Sequence, residues 1–571
     1  MTGIQMENAS VGPRRVGSTG APPCRVLLVY PRFTADTFWS FRETCEVIGV
    51  RYPAIPLGLI TVAALLPPEW NTRLVDCNTS DLTDADINGV DLVMTGGMLP
   101  QQLDALAIIE RCRRLGKPVA VGGPDATSSP QHYARADFLV LGEAEPIMSE
   151  FVTAWNSGER TGRLEAEKFT TDVTTSPVPR FELLNIKNYL YVGVQFSRGC
   201  PFSCEFCDII ELFGRVPRAK STPQMLGELD RLYELGYRGQ VDFVDDNMIG
   251  NKKALKLFLP HLIEWQEKRG FPFEFSTESS VNLADDEALL DMLRDARFIA
   301  IFVGIESPDT ETLIATQKKQ NTRRSLAESI DKIYAAGIFV TAGFILGFDS
   351  EREGVAQGMI DCIEDTAIPV CMVGLLYALP NTQLTRRLER EGRLHVGNDV
   401  AVEEGYGDQC TSGLNFETTR PRRDILTDYL RVIETIYPPR AWFARLREMG
   451  RRLGGGKGSL LPPSRKEALR DAWRMTRLLW FMTAMRPTWA PHVWFTLADC
   501  AWRNPKGLRG VISVMALYLH LGPFSREIAK TIREEIARID RGEGDTYALV
   551  PIPEGPAAAN QHKPAKKIVA A

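Results

Sequence analysis

Cys200, Cys204 and Cys207 lie in the segment Gln195-Phe-Ser-Arg-Gly-Cys200-Pro-Phe-Ser-Cys204-Glu-Phe-Cys207. Their spacing is C-x3-C-x2-C, on a loop punctuated by Gly199 and Pro201 after an apolar, strand-like run. Three thiolates this close on one loop suit three irons of a cubane iron–sulfur cluster and leave the fourth iron without a protein ligand. An iron left open is useful when something small is meant to bind it. Structural zinc is the competing use of the trio, but zinc takes four ligands, usually as two Cys/His pairs. No second pair follows, and the nearest downstream histidine, His261, falls in a helix-period run. The other eight cysteines (Cys24, Cys45, Cys77, Cys112, Cys362, Cys371, Cys410, Cys500) are scattered singly, mostly among apolar neighbours. That pattern suits reduced, buried thiols rather than a disulfide framework.

The elements that must hold this loop are legible as strand–helix alternation. At 571 residues the chain is long enough for three domains. Its net charge of −5 and 44% hydrophobic content give no sign of a nucleic-acid partner. Residues 1–22 read as a disordered tail and 546–571 as a second one. Arg14-Arg15 is followed by no apolar run of the kind an export signal needs. No uncharged apolar run reaches membrane-spanning length.

From 23 to 150 the apolar runs Arg25–Tyr30, Thr72–Asp76, Asp91–Met94, Pro118–Val121 and Asp137–Leu141 are expected as strands. Helical patterns over 56–66, 101–115 and 130–135 separate most of them. Continuous apolar strands joined by crossovers predict a parallel sheet covered on both faces, with ligands at its C-terminal strand ends. Those ends carry Gly96-Gly97-Met98, Gly122-Gly123-Pro124-Asp125 and Gly142-Glu143-Ala144-Glu145. The glycines read equally as tight turns or as room for something large and flat. Residues 151–190 read as a linker.

From 191 to 400 six βα repeats are predicted, an open partial barrel with its chemistry at the C-terminal strand ends. Strands are expected at 192–195, 240–244, 273–276, 299–303, 339–345 and 370–373. Helices are expected at 223–236, 253–268, 285–295, 309–314, 323–336 and 351–365. After the second strand comes Asp245-Asp246-Asn247, which reads as a ligand site or as a helix cap or turn. After the third comes Thr277-Glu278-Ser279, and after the fourth Gly304-Ile-Glu306-Ser307. The fifth carries Gly343-Phe-Ile345-Leu-Gly347-Phe-Asp-Ser-Glu351. After the sixth, Tyr377-Ala-Leu-Pro380-Asn-Thr382 is a turn suited to the substrate side.

The cysteine trio, with these strand ends in this order, resembles the radical S-adenosylmethionine (SAM) enzymes. The resemblance implies a [4Fe-4S] cluster whose open iron is chelated by SAM. One electron then splits the sulfonium to give a 5′-deoxyadenosyl radical. It also implies that Phe206 lies near the adenine and that Gly343 and Gly347, in a GxIxGxxxE phrase, meet it through backbone groups. Asp245, Asp246, Glu278 and Glu306 are the other expected SAM-side contacts. The first domain is similar to the cobalamin-binding domain of class B radical SAM enzymes, with Gly96, Gly97, Gly122, Gly123, Gly142 and Glu143 toward the corrin. The DxHxxG motif that gives cobalt a histidine in many corrinoid proteins is absent, and His132 is the domain's only histidine. Many members of this class also lack it, and the cobalt's lower face would then meet Met98-Leu99-Pro100-Gln101.

From 401 to 545 the sequence turns helical. Between Arg440 and Arg477 stand eleven Lys/Arg against three Asp/Glu, and Trp473, Trp480, Trp489, Trp494 and Trp502 are five of the ten tryptophans. This stretch reads either as a solvated basic face over an aromatic core or as a surface at an anionic membrane, through 440–510. The arrangement resembles the subgroup that includes the hopanoid C-2 methylase and the bacteriochlorophyll-side-chain methylases.

The fold class is therefore expected to be α/β: an N-terminal doubly wound, Rossmann-like cobalamin domain, a partial (β/α)6 radical SAM barrel and a helical C-terminal domain. The function the resemblance implies is cobalamin-dependent methyl transfer to an unactivated carbon of a hydrophobic small molecule. An electron donor of flavodoxin or ferredoxin type is implied with it. The location is cytoplasmic, with contact at the inner membrane face if the basic stretch is used there. Two other readings stay open: radical cyclase or oxidoreductase chemistry without methyl transfer, and a non-catalytic corrinoid or SAM sensor.

Overall fold

In the computed structural model, residues 23–33, 37–322, 325–397, 410–455, 465–543 and 549 are described. The expected tails, apart from Leu549, lie outside these residues. Strand β1 (Arg25–Tyr30) pairs in parallel with β2 (Asn71–Asp76) on one side and β3 (Leu92–Gly96) on the other. β4 (Val119–Gly122), β5 (Phe138–Leu141) and β6 (Gly162–Glu165) follow, giving the order β2-β1-β3-β4-β5-β6, all parallel. Side chains alternate along a strand, so β1 sends Val26 and Leu28 to one apolar cluster and Leu27 and Val29 to another. Helices cover both faces, which is why these strands read as unbroken apolar runs.

β6 corrects the expected boundary at 150. The segment 151–190 is not only a linker: helix Met148–Asn156 packs Phe151 and Trp155 into the first cluster, and β6 extends the sheet. Gly-Arg-Leu-Glu is an edge strand of which only Leu164 is buried, so it carries no apolar run to read.

The second sheet has the order β14-β13-β12-β11-β10-β7, again all parallel. Its strands are β7 (Val192–Val194), β10 (Gly239–Phe243), β11 (Phe273–Ser279), β12 (Phe298–Glu306), β13 (Phe339–Leu346) and β14 (Val370–Leu375). Helices Thr222–Glu234, Lys252–Lys268, Glu287–Ala296, Thr310–Ala315, Leu326–Ala335 and Val355–Thr366 alternate with them. A two-residue antiparallel ribbon, β8 (Ser197–Arg198) with β9 (Arg218–Ala219), ties off the cysteine loop at its base.

Helices Arg422–Ile436, Pro439–Arg452, Arg465–Thr483, Ala490–Arg503 and Leu508–Asp540 close the β14 side. Leu508–Asp540 is, among the described residues, long and apolar enough to cross a membrane by length and composition, but most of its apolar window is packed inside the protein. Its Tyr518 stacks on Trp442 with ring centroids 4.4 Å apart. The basic, aromatic stretch divides: Trp442 and Trp489 are core, whereas Trp473, Trp480, Trp494 and Trp502 are exposed.

Arg445 is also core. It donates to the Ile368 carbonyl at 3.0 Å and the Ile436 carbonyl at 2.5 Å, and pairs with Glu364 at 2.5 Å. It thereby joins the start of β14 to the end of Arg422–Ile436. Arg445→Ala strands two buried carbonyls and a carboxylate, so it is expected to cost about 3 kcal/mol. The check is the unfolding midpoint in urea, with Arg445→Lys recovering only part of the loss because it lacks the planar fork.

Candidate active site

β7 ends at Val194, and the chain turns at once into the cysteine loop. Asp245, just past β10, fixes that turn. Its carboxylate accepts the Phe196 N–H at 3.0 Å, the Ser197 N–H and the Ser197 hydroxyl at 2.6 Å. Asp246 accepts the Gly199 N–H at 2.7 Å. The carboxylates expected to receive SAM groups are thus turned toward the loop that carries the cysteines. Burial raises both, outweighing these hydrogen bonds, Asp245 to about 6 and Asp246 to about 7.

Around the cysteines, the Asn247 amide donates to Cys200 Sγ at 3.8 Å and the Gln320 amide to Cys204 Sγ at 3.7 Å. Burial raises the Cys204 thiol, and the Lys318 charge opposes that rise. Lys318 is buried and ion-paired with Glu306, and its Nζ lies 5.9 Å from the Phe206 ring centre. Glu306, expected as a direct SAM contact, is occupied by this lysine. Phe206 packs on Phe348 with centroids 5.7 Å apart, which brings the cysteine loop to the end of β13. There Gly347 has φ +109° and donates its N–H to Glu351 at 2.9 Å. Gly343 faces the Phe302 ring, where a Cβ would stand 2.9 Å from Cζ.

All three thiols are free. Among the described residues no three His, Cys, Asp or Glu side chains converge as a single metal ion would need. A cubane asks instead that each thiolate reach a different iron, and a loop with three thiols, amide donors to two sulfurs and a buried cation beside it fits that group.

Beside the loop lies a cavity of about 1280 Å³, larger than the ordinary small-molecule pocket of about 300–1,000 Å³. Gly96, Gly97, Gly122, Gly123, Gly142 and Glu143 line one side of it. This is the C-terminal edge of the first sheet, and its 2-1-3-4-5-6 strand order puts the switch point between β1 and β3. The glycines serve the protein's own packing as well. A Cβ on Gly122 would stand 2.8 Å from the Val140 carbonyl oxygen, and one on Gly96 would strike the Gly122 carbonyl. The result is a bare backbone floor that a flat macrocycle fits. Met98 and Pro100 also line the cavity, while Gln101 is spent on the Pro31 carbonyl at 2.6 Å. His132 is not part of the wall.

The opposite wall is the barrel interior, including Gln240, Asp242, Ser276, Glu278, Phe302 and Met372. Asp242 is bonded by the Ser276 hydroxyl. Glu278 reaches into the cavity's open space with protein around it, and no protein group bonds its carboxyl among the described residues. Its side chain is exposed to the cavity but enclosed by protein; that enclosure first, then the neighbouring Asp242, Asp246 and Asp245, pushes it up to about 8.

Residues that sequence reasoning missed join the two walls. Arg198 pairs with Glu143 at 2.9 Å and Glu145 at 2.7 Å, and Arg218 pairs with Glu143 at 2.7 Å. Burial alone would raise Glu145, but the Arg198 hydrogen bonds and charge hold it down at about 2. Glu143 therefore ties the first domain to the ribbon under the cysteine loop. Glu143, expected toward the corrin, is held by these two arginines, and nothing local marks Arg198, Arg218 or Lys318.

A three-thiol loop at the mouth of a partial barrel, behind a doubly wound domain, defines a radical SAM enzyme. The chain matches the Radical SAM superfamily over residues 194–361 and a domain of unknown function, DUF4070, over 382–534. It is 41% identical over 534 residues to the uncharacterized methyltransferase sll1242 of Synechocystis, covering 92% of this chain and 97% of that protein. It is 39% identical over 381 residues to the hopanoid C-2 methylase of Rhodopseudomonas palustris, covering 66% and 72%. The chain belongs to this family of radical SAM methyltransferases. Among solved structures, OxsB, a cobalamin-dependent SAM radical enzyme, superposes with a TM-score of 0.56 at 16% identity, over 91% of this chain and 81% of that one. TsrM from Kitasatospora setae, a radical SAM methyltransferase bound to cobalamin and a [4Fe-4S] cluster, superposes at 0.52 and 16%, over 66% and 77%. These two likenesses are of fold.

Two stability tests follow. Arg198→Met leaves Glu143 and Glu145 buried without their shared partner and is expected to cost about 3–5 kcal/mol. Because Glu145 sits below its ordinary 4.5, its contribution is complete above pH 4.5 and disappears as pH falls toward 2, so acid unfolding of the parent should flatten in the variant. Glu278 has the opposite sign. Its folded value lies above 4.5, so stability is complete below pH 4.5 and is lost as pH rises through 8. Glu278→Gln should therefore unfold at a higher temperature than the parent above pH 8, with the two curves converging at low pH in a pH-stepped thermal melt.

Proposed function

We propose that the chain is a cobalamin-dependent C-methyltransferase acting on an unactivated carbon of a hydrophobic small molecule. One observation carries the reading: a single cavity joins the glycine-lined strand ends of the first sheet to the barrel interior and reaches Gln195 and Arg198 at the base of the three-cysteine loop. When bound, the cluster and SAM supply one-electron cleavage of a sulfonium, and cobalamin supplies the methyl group. The likeness of fold to OxsB and TsrM supports cobalamin as the occupant of the glycine floor.

Cys200, Cys204 and Cys207 would hold the cluster, with Asn247, Gln320 and Lys318 tuning the sulfurs. Phe206, Gly347 and Phe348 would flank the adenine. Leu57, Met94, Phe302, Met372, Leu478 and Ile512 make the cavity wall largely apolar, which suits a hydrophobic substrate and keeps water from a reactive radical. Glu278, neutral near pH 7, would donate a hydrogen bond to a substrate oxygen and orient it.

Incubation of the anaerobically reconstituted protein with methyl-labelled SAM, a chemical reductant and candidate hydrophobic acceptors tests the proposal. Label in a carbon-methylated product together with 5′-deoxyadenosine is expected. 5′-Deoxyadenosine with an altered but unlabelled product would favour a cyclase or oxidoreductase instead, and absence of reductive SAM cleavage would favour a sensor. Cys200→Ala, Cys204→Ala and Cys207→Ala should each bring 5′-deoxyadenosine to background and lower bound iron.

A further inference from the structure

A surface helix of a folded domain ordinarily shows one apolar stripe, turned to the core. Helix Arg465–Thr483 shows two. On one side Met475 and Leu478 line the cavity with Asp471 and Arg474, and Met482 is fully buried. On the other side Leu469, Trp473 and Trp480 stand at helical spacing and are exposed, Trp473 by 55% and Trp480 by 59%. The helix it packs on, Ala490–Arg503, repeats the pattern. Val493, Thr496 and Cys500 are buried, while Trp494, Phe495 and Trp502 are exposed, Trp502 by 89%. With Met485 between the two helices, seven large apolar side chains are exposed between Leu469 and Trp502, too dense to be the single exposed apolars of an ordinary surface.

Cations are interleaved with these rings. The Arg477 guanidinium lies 5.2 Å from the Trp473 ring centre, and that of Arg447 lies 4.8 Å from the Phe495 ring centre. Residues 465–506 hold eight Lys/Arg against three Asp/Glu, a charge of +5 in a chain of −5. Tryptophan bodies with arginine heads beside them suit the boundary between acyl chains and anionic headgroups.

We propose that the outer faces of helices Arg465–Thr483 and Ala490–Arg503 dock on an anionic bilayer, and that a hydrophobic substrate passes from it into the cavity beside Arg465–Thr483. One helix then separates the lipid phase from the cavity. The delivery half rests on the hydrophobic-substrate reading above; the docking half does not.

The anaerobically reconstituted full-length protein is floated with vesicles of phosphatidylcholine alone or with phosphatidylglycerol, at low and high salt, and reductive SAM cleavage is measured in the same samples. Flotation with the anionic vesicles at low salt is expected, with tryptophan fluorescence quenched by brominated acyl chains. Trp473→Ser/Trp480→Ser should weaken that partitioning by about ten-fold or more while keeping SAM cleavage, which also reports folding. A diazirine-bearing fatty acid in the vesicles should label the inward residues Met475 and Leu478 as well as the outward ones. Protein that stays in solution with anionic vesicles, binding without acyl-chain quenching, or a concentration-dependent dimer that covers the tryptophans overturns docking. Label confined to the outward face overturns delivery. Loss of SAM cleavage in the parent would instead count against the methyltransferase reading and leave the vesicle results standing.

Discussion

The buried quartet of Arg198, Arg218, Glu143 and Glu145 is the constraint on which the rest depends. Each charge is largely out of water, and the set is neutral as a whole. Such networks add little net stability, because desolvation offsets most of the attraction, but they permit few alternative arrangements. Here the arrangement matters. Arg198 stands two residues before Cys200, and Glu143 and Glu145 end a strand-end phrase whose first residue, Gly142, belongs to the floor of the other domain. A slip between domains would unpair buried charges at once, so the cysteine loop and the glycine floor are held in one frame.

Within that frame, polar groups are spent on geometry rather than left free. Asp245 and Asp246 grip the backbone from Phe196 to Gly199, Glu351 grips the turn at Gly347, and Lys318 neutralises Glu306. The cavity wall is left mostly apolar with a few acids, of which Glu278 is the one without a protein partner among the described residues. A reactive carbon centre needs such a place, where few exchangeable protons and little water compete with the intended partner.

Much of this was legible in the sequence because the physics is local. Strands buried on both faces read as unbroken apolar runs, and all five expected in the first domain and six in the barrel recur in the structure. Three cysteines within eight residues announce their chemistry without a fold. What stayed hidden was of two kinds. β6 is a polar edge strand whose pairing, not its composition, makes it a strand. The Arg198–Glu143, Arg218–Glu143 and Lys318–Glu306 pairs join residues 55, 75 and 12 positions apart, and no window of sequence shows that they meet. The same blindness hides what Asp245 holds: an acid after an apolar strand looks alike whether it faces a ligand or, as here, also grips the backbone of the neighbouring loop.

The glycines show why their two sequence readings do not exclude each other. Parallel strands that end close together at Gly96, Gly122 and Gly123 crowd their own carbonyls, so side chains are excluded for internal reasons. The same exclusion leaves a floor without projections. A floor of this kind forms at the switch point of a 2-1-3-4-5-6 sheet, where β1 and β3 send their connections to opposite faces. The partial barrel, open between β7 and β14, presents its interior to the same crevice. Two parallel sheets whose C-terminal ends share one cavity can thus hold two large groups against a single substrate, and the quartet beneath the cysteine loop keeps that separation fixed.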